Sequence, residues 1–517
     1  MPIHQSAFLL NDIVFNKYDE LEELTNISNR QYDLSEHNSS EIRSLLLALL
    51  KFLFLILLLI SFSKTSYGQS HGHLKVSPNH HYLEYSDGTP FFYLGDTAWY
   101  LFRRLNLKQA DYYLKNRANK GFTVIQASLL ESGGDFNKPN ALGDKPLIDG
   151  DPTKPNPAYF KYVDQVVNEA QKLGLHIGML PTWGGNWARF NKKPPYVFNV
   201  KNAKIYGEFL GKRYKKKPVI WILGGDTGVY SPKERAILKS MAEGLNEGVG
   251  GDHLITFHPV GPGMSSQFLP HAKWINFNMS QTSHSARNID TGIFIHHDYN
   301  LKPTKPTLDG EPAYEMMPVG FYFKNYNRYN RFTSYAVRQG AYWSILAGAC
   351  GFTYGNNNIW QFYDTDVKPK DWADIPWKEA LNEPGAFDMT YVKQLFESVP
   401  FEEMKPCQKM IVSGPDHGGA KIRAAVARDR SFAIIYTPQG KSFTVDRSYL
   451  KVKGRTLKVI WYNPRYGVAH WVHTSDNSAY QTYTPPTSGK KTDWILLLED
   501  GAKHYPLPGV RHSVSKK

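Results

Sequence analysis

From Phe91 to Gly355 short apolar runs alternate with longer amphipathic ones, eight times over. The apolar runs are FFYLG (from Phe91), TVIQASL (Thr123), HIGMLPTW (His176), PVIWILGGD (Pro218), LITFHP (Leu254), WINFNMS (Trp274), PTLDGE (Pro306) and GFTYG (Gly351). They are continuous rather than alternating, as in parallel strands covered on both faces. Helix signals stand between them. Asn106 and Gln109 form a capping box with Gly121 as the stop. Asn156 and Pro157 open a second helix, with Phe160, Val163, Val167, Ala170 and Leu173 on one face and Gly174 at its end. A third helix covers about 201–214, Ser231, Pro232 and Glu234 start a fourth, and a long one lies around 331–346. Eight such units over about 300 residues predict an α/β fold, a (β/α)8 TIM barrel, with an open doubly wound sheet as the alternative. No GxGxxG or GxxxxGK[ST] follows any of these strands, which argues against a nucleotide site.

Past residue 400 the helix-length patterns stop. MIVSG, KIRAAVA, FAIIYTP, KSFTVD, TLKVIWYN, VAHWVH and DWILLLE are short runs separated by turn residues, and they predict an all-β sandwich. At the other end, Leu45–Phe62 reads LLLALLKFLFLILLLISF, with Arg43 and Lys51 as its basic residues and Ser66 and Gly68 at the −3 and −1 positions of a cut. That is the pattern of a secretory signal peptide; the rival reading is a membrane anchor, because the run is nearly long enough to span. The expected division is an N-terminal extension and signal peptide over 1–68, the barrel over 69–400, the β domain over 401–500 and a basic tail over 501–517. Export places the mature chain outside the cytoplasm, secreted, periplasmic or at the cell surface, with membrane contact only if the signal segment stays uncleaved.

Two cysteines among 517 residues exclude a disulfide scaffold and a Cys-rich zinc module, and Cys350 in GACGF reads as a buried small residue. The net charge of +14 rises to +17 without residues 1–68, which hold five Lys/Arg and eight Asp/Glu. An anionic partner fits that balance. Nucleic acid does not: apart from the run Lys212–Lys217 the basic residues are scattered, and no nucleic-acid motif occurs. The aromatic load (Tyr 32, Phe 28, Trp 12) must be core or binding surface.

In such barrels functional side chains stand at the C-terminal ends of the strands. Strand one ends at Asp96, with Trp99 beyond; strand two near Gln126, Ser128 and Glu131; strand three at Trp183, Asn186 and Trp187. Strand four ends in Gly224-Gly225-Asp226, strand five at His258, strand six at Gln281 with His284 nearby. Strand seven ends in Asp309-Gly310-Glu311 followed by Tyr314 and Glu315, and strand eight near Asn356 and Trp360. Carboxylates, amides and tryptophans together suit a carbohydrate: polar groups for hydroxyls, aromatic faces for C–H surfaces. Cleaving a glycosidic bond needs two carboxyl groups, and Asp226 and Glu311 are the expected catalytic pair, the first as acid/base by analogy with other barrel glycosidases and the second as nucleophile. Asp96, Trp99, Gln126, Trp183, Asn186, Trp187, His258, Gln281, Tyr314, Asn356 and Trp360 are the expected substrate-binding residues. Plainer roles stay open: Asp226 as a cap of the next helix, Glu311 as a surface turn residue, Asp96 in a structural pair, Trp183 and Trp187 as core. No metal and no cofactor is expected; His296-His297-Asp298 would point apart on a strand. Arg338 either pairs with a site carboxylate or lies on the surface.

GDTAW at Gly95–Trp99, WILGGD at Trp221–Asp226, DGEPAYE at Asp309–Glu315 and RQGAYWSILAGACGFTYG at Arg338–Gly355, in that joint order, resemble the apiosidase-like glycoside hydrolases, glycoside hydrolase family 140. The β domain, with WYNPRYG at Trp461–Gly467, resembles the C-terminal domain that accompanies them under a collagen-binding label. The resemblance implies a (β/α)8 barrel that hydrolyses glycosidic bonds with an Asp and a Glu, which fall on Asp226 and Glu311, and an action on apiose in the side chains of the pectin rhamnogalacturonan II. Long loops at Gly133–Pro155 and Asp364–Pro384 reshape the pocket, so substrate does not follow from family alone. The expected partner is a carbohydrate, an anionic pectic glycan on the charge argument. The alternatives are a non-catalytic carbohydrate-binding or adhesion protein and a protein binder acting through the β domain.

Overall fold

Strands that are apolar along their whole length need cover on both faces, and the eight expected strands find it in one barrel. The computed structural model describes residues 71–132, 135–189, 196–282, 284–453, 456–475 and 479–509, which belong to one compact unit. The expected leader, 1–68, and the end of the expected basic tail, 510–517, lie outside the described residues.

A small antiparallel sheet of β1 (Leu74–Val76), β2 (Leu83–Tyr85) and β3 (Pro90–Phe91) leads into the first barrel strand, β4 (Tyr93–Thr97). There follow α1 (Leu101–Arg104), α2 (Leu107–Asn119), β5 (Val124–Ser128), α3 (Pro157–Lys172), β6 (His176–Leu180), α4 (Val200–Tyr214), β7 (Val219–Gly224), α5 (Pro232–Val249) and β8 (Ile255–His258). Then come β9 (Gly263–Met264), α6 (Ser265–Phe268), β10 (Asn278–Gln281), α7 (Gly292–Tyr299), β11 (Thr307–Glu311), α8 (Ser334–Leu346), β12 (Gly351–Tyr354), α9 (Trp377–Ala380) and α10 (Pro384–Phe396). The sheet order is β8-β7-β6-β5-β4-β12-β11-β10-β9, parallel except for β9, which adds to β10 antiparallel. Every residue of the eight parallel strands is buried.

The seam between β8 and β10 is closed largely by side chains. The Asn276 backbone N–H donates to the Ile255 carbonyl at 2.9 Å, and its side-chain oxygen accepts the Ile255 N–H at 2.7 Å. The Thr256 hydroxyl donates to the Phe277 carbonyl at 2.6 Å. An open doubly wound sheet has no such seam, so the architecture is the barrel. The expected capping boxes form at Asn106/Gln109 and Ser231/Glu234. The second one excludes a role for Asp226 as the cap of α5, because Ser231 fills that position.

Two antiparallel sheets follow. The larger, in order β13-β15-β16-β21-β18-β19, consists of β13 (Met404–Pro406), β15 (Arg423–Ala427), β16 (Phe432–Thr437), β21 (Trp494–Asp500), β18 (Leu457–Asn463) and β19 (Val468–Ser475). The smaller joins β14 (Ile411–Ser413), β17 (Phe443–Asp446) and β20 (Tyr480–Tyr483). Successive side chains on a strand point to opposite faces, and the central strands β15, β16 and β21 of the large sheet are buried on both. Ala424, Val426, Ile435, Val459, Leu496 and Leu498 pack toward Phe443 and Val445 of the small sheet. Their sequence neighbours Ala425, Ile434, Tyr436, Ile460, Ile495 and Leu497 join the barrel's own core.

Arg338 locks that interface. It lies on α8, is 4% exposed, and grips Asp493, just before β21, with two parallel bonds of 2.8 Å. A third bond of 2.5 Å reaches Asp388 on α10. Neither expected role of Arg338 holds: its helix face is turned to the β sheet, away from the barrel mouth and from solvent. Removing one partner of a buried ion pair leaves uncompensated charge, at a cost of about 3–5 kcal/mol. Arg338→Ala is expected to lower the unfolding free energy by about that amount, measured in urea titrations, whereas an exposed control such as Lys172→Ala shifts it by roughly 0.5 kcal/mol or less.

Candidate active site

The DGE sequence at the end of β11 places two carboxylates on opposite faces of one strand. Residues two apart normally share a face. Here β10 pairs Ser280 with Asp309 and then Gln281 with Glu311, so Gly310 is the extra residue of a bulge that re-aims the next side chain. A Cβ on Gly310 would meet the Met279 side chain at 2.5 Å. Asp309 faces the helix layer, accepting from Ser344 of α8 at 2.7 Å and from Thr282 at 3.2 Å, and burial pushes its carboxyl up to about 7. Glu311 faces into the barrel mouth.

There Glu311 meets two imidazoles. His258 Nε2 lies 2.6 Å from its Oε2, within ion-pair distance though off hydrogen-bond geometry, and His284 Nε2 is bonded to Oε1 at 3.3 Å. Both rings are oriented by backbone amides. The Asp226 N–H donates to His258 Nδ1 at 3.1 Å, and the Tyr314 N–H donates to His284 Nδ1 at 3.3 Å. With Nδ1 turned to a backbone amide, each ring presents Nε2 to Glu311. Burial alone would raise the Glu311 carboxyl; the attraction of His258, then of His284, outweighs it and holds the group below the usual carboxylate range. The Tyr314 hydroxyl accepts the Trp99 indole N–H at 3.2 Å, and burial together with Glu311 holds it well above the ordinary phenol range.

The GGD turn at the end of β7 is the second built element. Gly224, Gly225 and Asp226 have φ of 108°, 94° and 52°, three successive residues in left-handed space. Only the last is not glycine, and such conformations persist where the surroundings enforce them. A Cβ on Gly225 would stand 2.8 Å from the Gly184 nitrogen. The Gly225 carbonyl accepts from Gly184 at 3.0 Å, its N–H donates to the His258 carbonyl at 3.2 Å, and the Trp187 indole donates to the Gly224 carbonyl at 3.0 Å. Asp226, half-buried, therefore sits across a single imidazole from Glu311. The surface-turn reading of Glu311 is excluded by its burial.

The expected binding residues divide into two groups. Trp99, Trp183 and His258 form one aromatic cluster, with ring centroids 5.1 Å apart for Trp99–Trp183 and 5.4 Å for Trp99–His258. Tyr314 stands beside them, Gln281 is buried with its side-chain oxygen unbonded, and half-buried Trp360 packs edge-on to Tyr100 at 5.3 Å. The other five are absorbed by the scaffold. Asp96 is sealed in a pair with Arg117 at 2.6 Å and Tyr113 at 2.5 Å. Gln126 donates to the Gly310 carbonyl at 2.9 Å, and Asn186 braces the Glu131 carbonyl and Thr182. Trp187 holds the GGD turn from behind, as core, and the Asn356 side chain caps Asn358 at 2.9 Å. Each stands at or beyond a strand end, as expected, and is bonded to the scaffold, although Asp96 Oδ1, Gln126 Oε1 and Asn186 Oδ1 are buried without a hydrogen-bond partner.

Position near a strand end marks His284 without giving it a role; in the fold it is the second imidazole on Glu311. Strand ends do not point to Asp371 at all. It is half-buried, and its carboxyl is pushed up by burial and drawn down by His284. Positions His296–Asp298 lie on a helix, α7, not a strand, and Asp298 is occupied by Ser266 at 2.5 Å and His297 at 3.1 Å.

Residues 77–403 match the family model "Apiosidase-like, catalytic domain", and residues 406–499 match "Putative collagen-binding domain of a collagenase". A solved structure described as a glycoside hydrolase is 32% identical, with a TM-score of 0.77, covering 84% of this chain and 99% of its own. A glycoside hydrolase family 5 structure from Bacteroides vulgatus is 28% identical, also with a TM-score of 0.77, covering 85% and 96%. No curated protein matches the chain.

A carboxylate whose folded pKa is depressed contributes stability above its unfolded value, and that contribution is lost as pH falls through the folded value. In His258→Ala burial wins, and the sign for Glu311 reverses. The gap in melting temperature between wild type and His258→Ala is therefore expected to be largest at neutral pH and to shrink below about pH 5, where Glu311 takes up a proton in the unfolded chain and in the folded variant. A gap that stays constant from pH 7 to pH 3.5 would contradict the pairing.

Proposed function

The chain belongs to the apiosidase-like glycoside hydrolases, and on that premise we propose that it is an exported enzyme that cleaves pectic plant cell-wall glycans, apiose-containing rhamnogalacturonan II among them, with retention of configuration. The observation that carries the catalytic assignment is Glu311, a buried carboxylate kept ionised by two oriented imidazoles and aimed into an aromatic pocket by a bulge.

In this reading Glu311 attacks the anomeric carbon while Asp226 gives its proton to the departing oxygen. The glycosyl ester on Glu311 is then hydrolysed by a water that Asp226 deprotonates, which restores both carboxyl groups. His258 and His284, each with Nε2 facing one Glu311 oxygen, favour the carboxylate again when it leaves the ester. Trp99 and Trp183 offer ring faces and edges to the sugar. Retention requires the two carboxyl groups to stand ~5–5.5 Å apart during the reaction, inversion ~6.5–9.5 Å.

The preference for an acidic glycan is supported by the rim. Arg103, Arg104 and Lys370 gather around the Tyr100 ring, which itself contacts Trp360; Arg103 is paired with Glu131 and Asp135, so Arg104 and Lys370 are the cations offered to an acidic glycan. Export is supported by the apolar run Leu45–Phe62 and the small residues after it.

Glu311→Gln and Asp226→Asn are each expected to reduce hydrolysis of rhamnogalacturonan II oligosaccharides by ~10³-fold or more, the scale of a lost catalytic group. Sugar release measured by chromatography checks the loss, and the anomer of the first product, followed by proton NMR, separates retention from inversion. Release of sugar only from neutral polymers would overturn the substrate class while leaving the catalytic pair intact.

A further inference from the structure

Two loops at the barrel mouth carry exposed aromatic rings that neither the core nor the catalytic pocket uses. The loop between β11 and α8 folds back on itself: Val319 donates to the Asn330 carbonyl at 2.8 Å, and Phe332 donates to that of Met317 at 2.9 Å. Its projecting part reads GFYFKNYNRYNR from Gly320 to Arg331. Tyr322, Phe323 and Tyr329 are 48%, 55% and 73% exposed, and Trp372, on the loop after β12, is 46% exposed.

The two loops are joined. The Arg328 guanidinium lies 4.7 Å from the centre of the Tyr329 ring and 4.6 Å from that of Trp372. Arg331 donates to the Met316 and Trp372 carbonyls, both at 2.8 Å. The Trp372 indole is bonded to the Tyr326 hydroxyl. Asp371 and Trp372 have φ of 49° and 59°, two successive non-glycine residues in left-handed space. That conformation is costly, and here it yields a tryptophan left half in solvent.

The rings also run on from the active site. Glu311 touches His284, whose ring centroid is 5.9 Å from that of Phe321; Phe321 to Tyr322 is 5.1 Å and Tyr322 to Phe323 is 4.8 Å. The Gly320 N–H donates to the His284 carbonyl at 2.7 Å, which ties the loop to the same histidine.

We propose that Tyr322, Phe323, Tyr329 and Trp372, with Arg328, form a platform that binds sugar residues of the glycan lying beyond the bond to be cut. The inference rests on the glycosidase reading and extends it from one pocket to a longer chain. The chemistry of the surface selects the occupant. Its exposed apolar side chains are all aromatic, and its polar partners are the amides and cations of Lys324, Asn325, Asn327 and Arg328; Gly320 to Arg331 holds no carboxylate, and Asp374 on the other loop is paired with Arg331 at 3.0 Å. Flat rings stack on the C–H faces of sugars and amides reach hydroxyls; a lipid or protein patch of this size would also present aliphatic side chains.

The test is affinity electrophoresis of the full chain carrying Glu311→Gln, in native gels containing rhamnogalacturonan II, polygalacturonan or xyloglucan. Retardation is expected in at least one gel. Adding Tyr329→Ala or Trp372→Ala is expected to weaken it about tenfold or more, and Trp372→Phe, which keeps a ring, to weaken it less. In the active background the same two substitutions should leave kcat/KM on the shortest cleaved oligosaccharide unchanged and raise KM on the polymer. No retardation in any gel, or retardation indifferent to both alanine variants, overturns the platform. So does binding to neutral phosphatidylcholine vesicles that the same variants abolish, which would assign the surface to lipid. If Glu311→Gln leaves hydrolysis intact while Tyr329→Ala abolishes retardation, it is the catalytic assignment that falls and the platform that stands.

Discussion

A charged carboxylate placed where water is excluded must be matched by its surroundings or it takes up a proton. Glu311 is such a group, and much of the barrel mouth is arranged to match it. His258 ends β8 and His284 follows β10, so strands on both sides of the side-chain seam supply a ring. Each ring is turned by a backbone amide from another loop, Asp226 after β7 and Tyr314 after β11. The bulge at Gly310 turns the carboxylate inward, and Gln126 holds the bulge by its carbonyl. A change in any of these elements reaches the carboxylate through at most one intermediary.

The β region is coupled to the same framework. The central strands of its large sheet have no solvent face: one set of side chains fills the space below the small sheet, and the alternate set completes the core beneath α8 and α10. Arg338 fixes the docking through Asp493 and Asp388, and Trp343 of the same helix donates to the Lys421 carbonyl at 2.9 Å. Helix α8 also carries Ser344, the partner of Asp309. One helix thus braces the strand that ends in Glu311 and anchors the second module, which gives the β sheets a structural part in keeping the site in place.

Much of this architecture was legible in the chain. The eight apolar runs became the eight parallel strands, and the capping boxes at Asn106 and Ser231 formed as their spacing implies, because both signals are local and depend on residues within a few positions of one another. The pair Asp226 and Glu311 stood out because strand ends in a barrel converge on one face. Five of the expected binding residues share a second commitment. Asp96, Gln126, Asn186, Trp187 and Asn356 are polar or aromatic side chains at strand ends, like those that line the pocket, but each also bonds a scaffold partner remote in sequence or in the loop beside it. Arg338 went astray for the same reason, since its partner Asp493 lies 155 residues away.

The sequence by itself determined the kind of fold, the order of its elements and which carboxyl groups end at the barrel mouth, because hydrophobic period, caps and turn residues act over short stretches of chain. Only the tertiary structure decided which strand-end side chains remain open to a ligand, which way Glu311 points and what keeps it ionised. Those properties depend on partners brought together from separate strands. A hydrogen bond or a buried charge is satisfied by whatever lies within about 3 Å of it, however far away in the sequence that atom began.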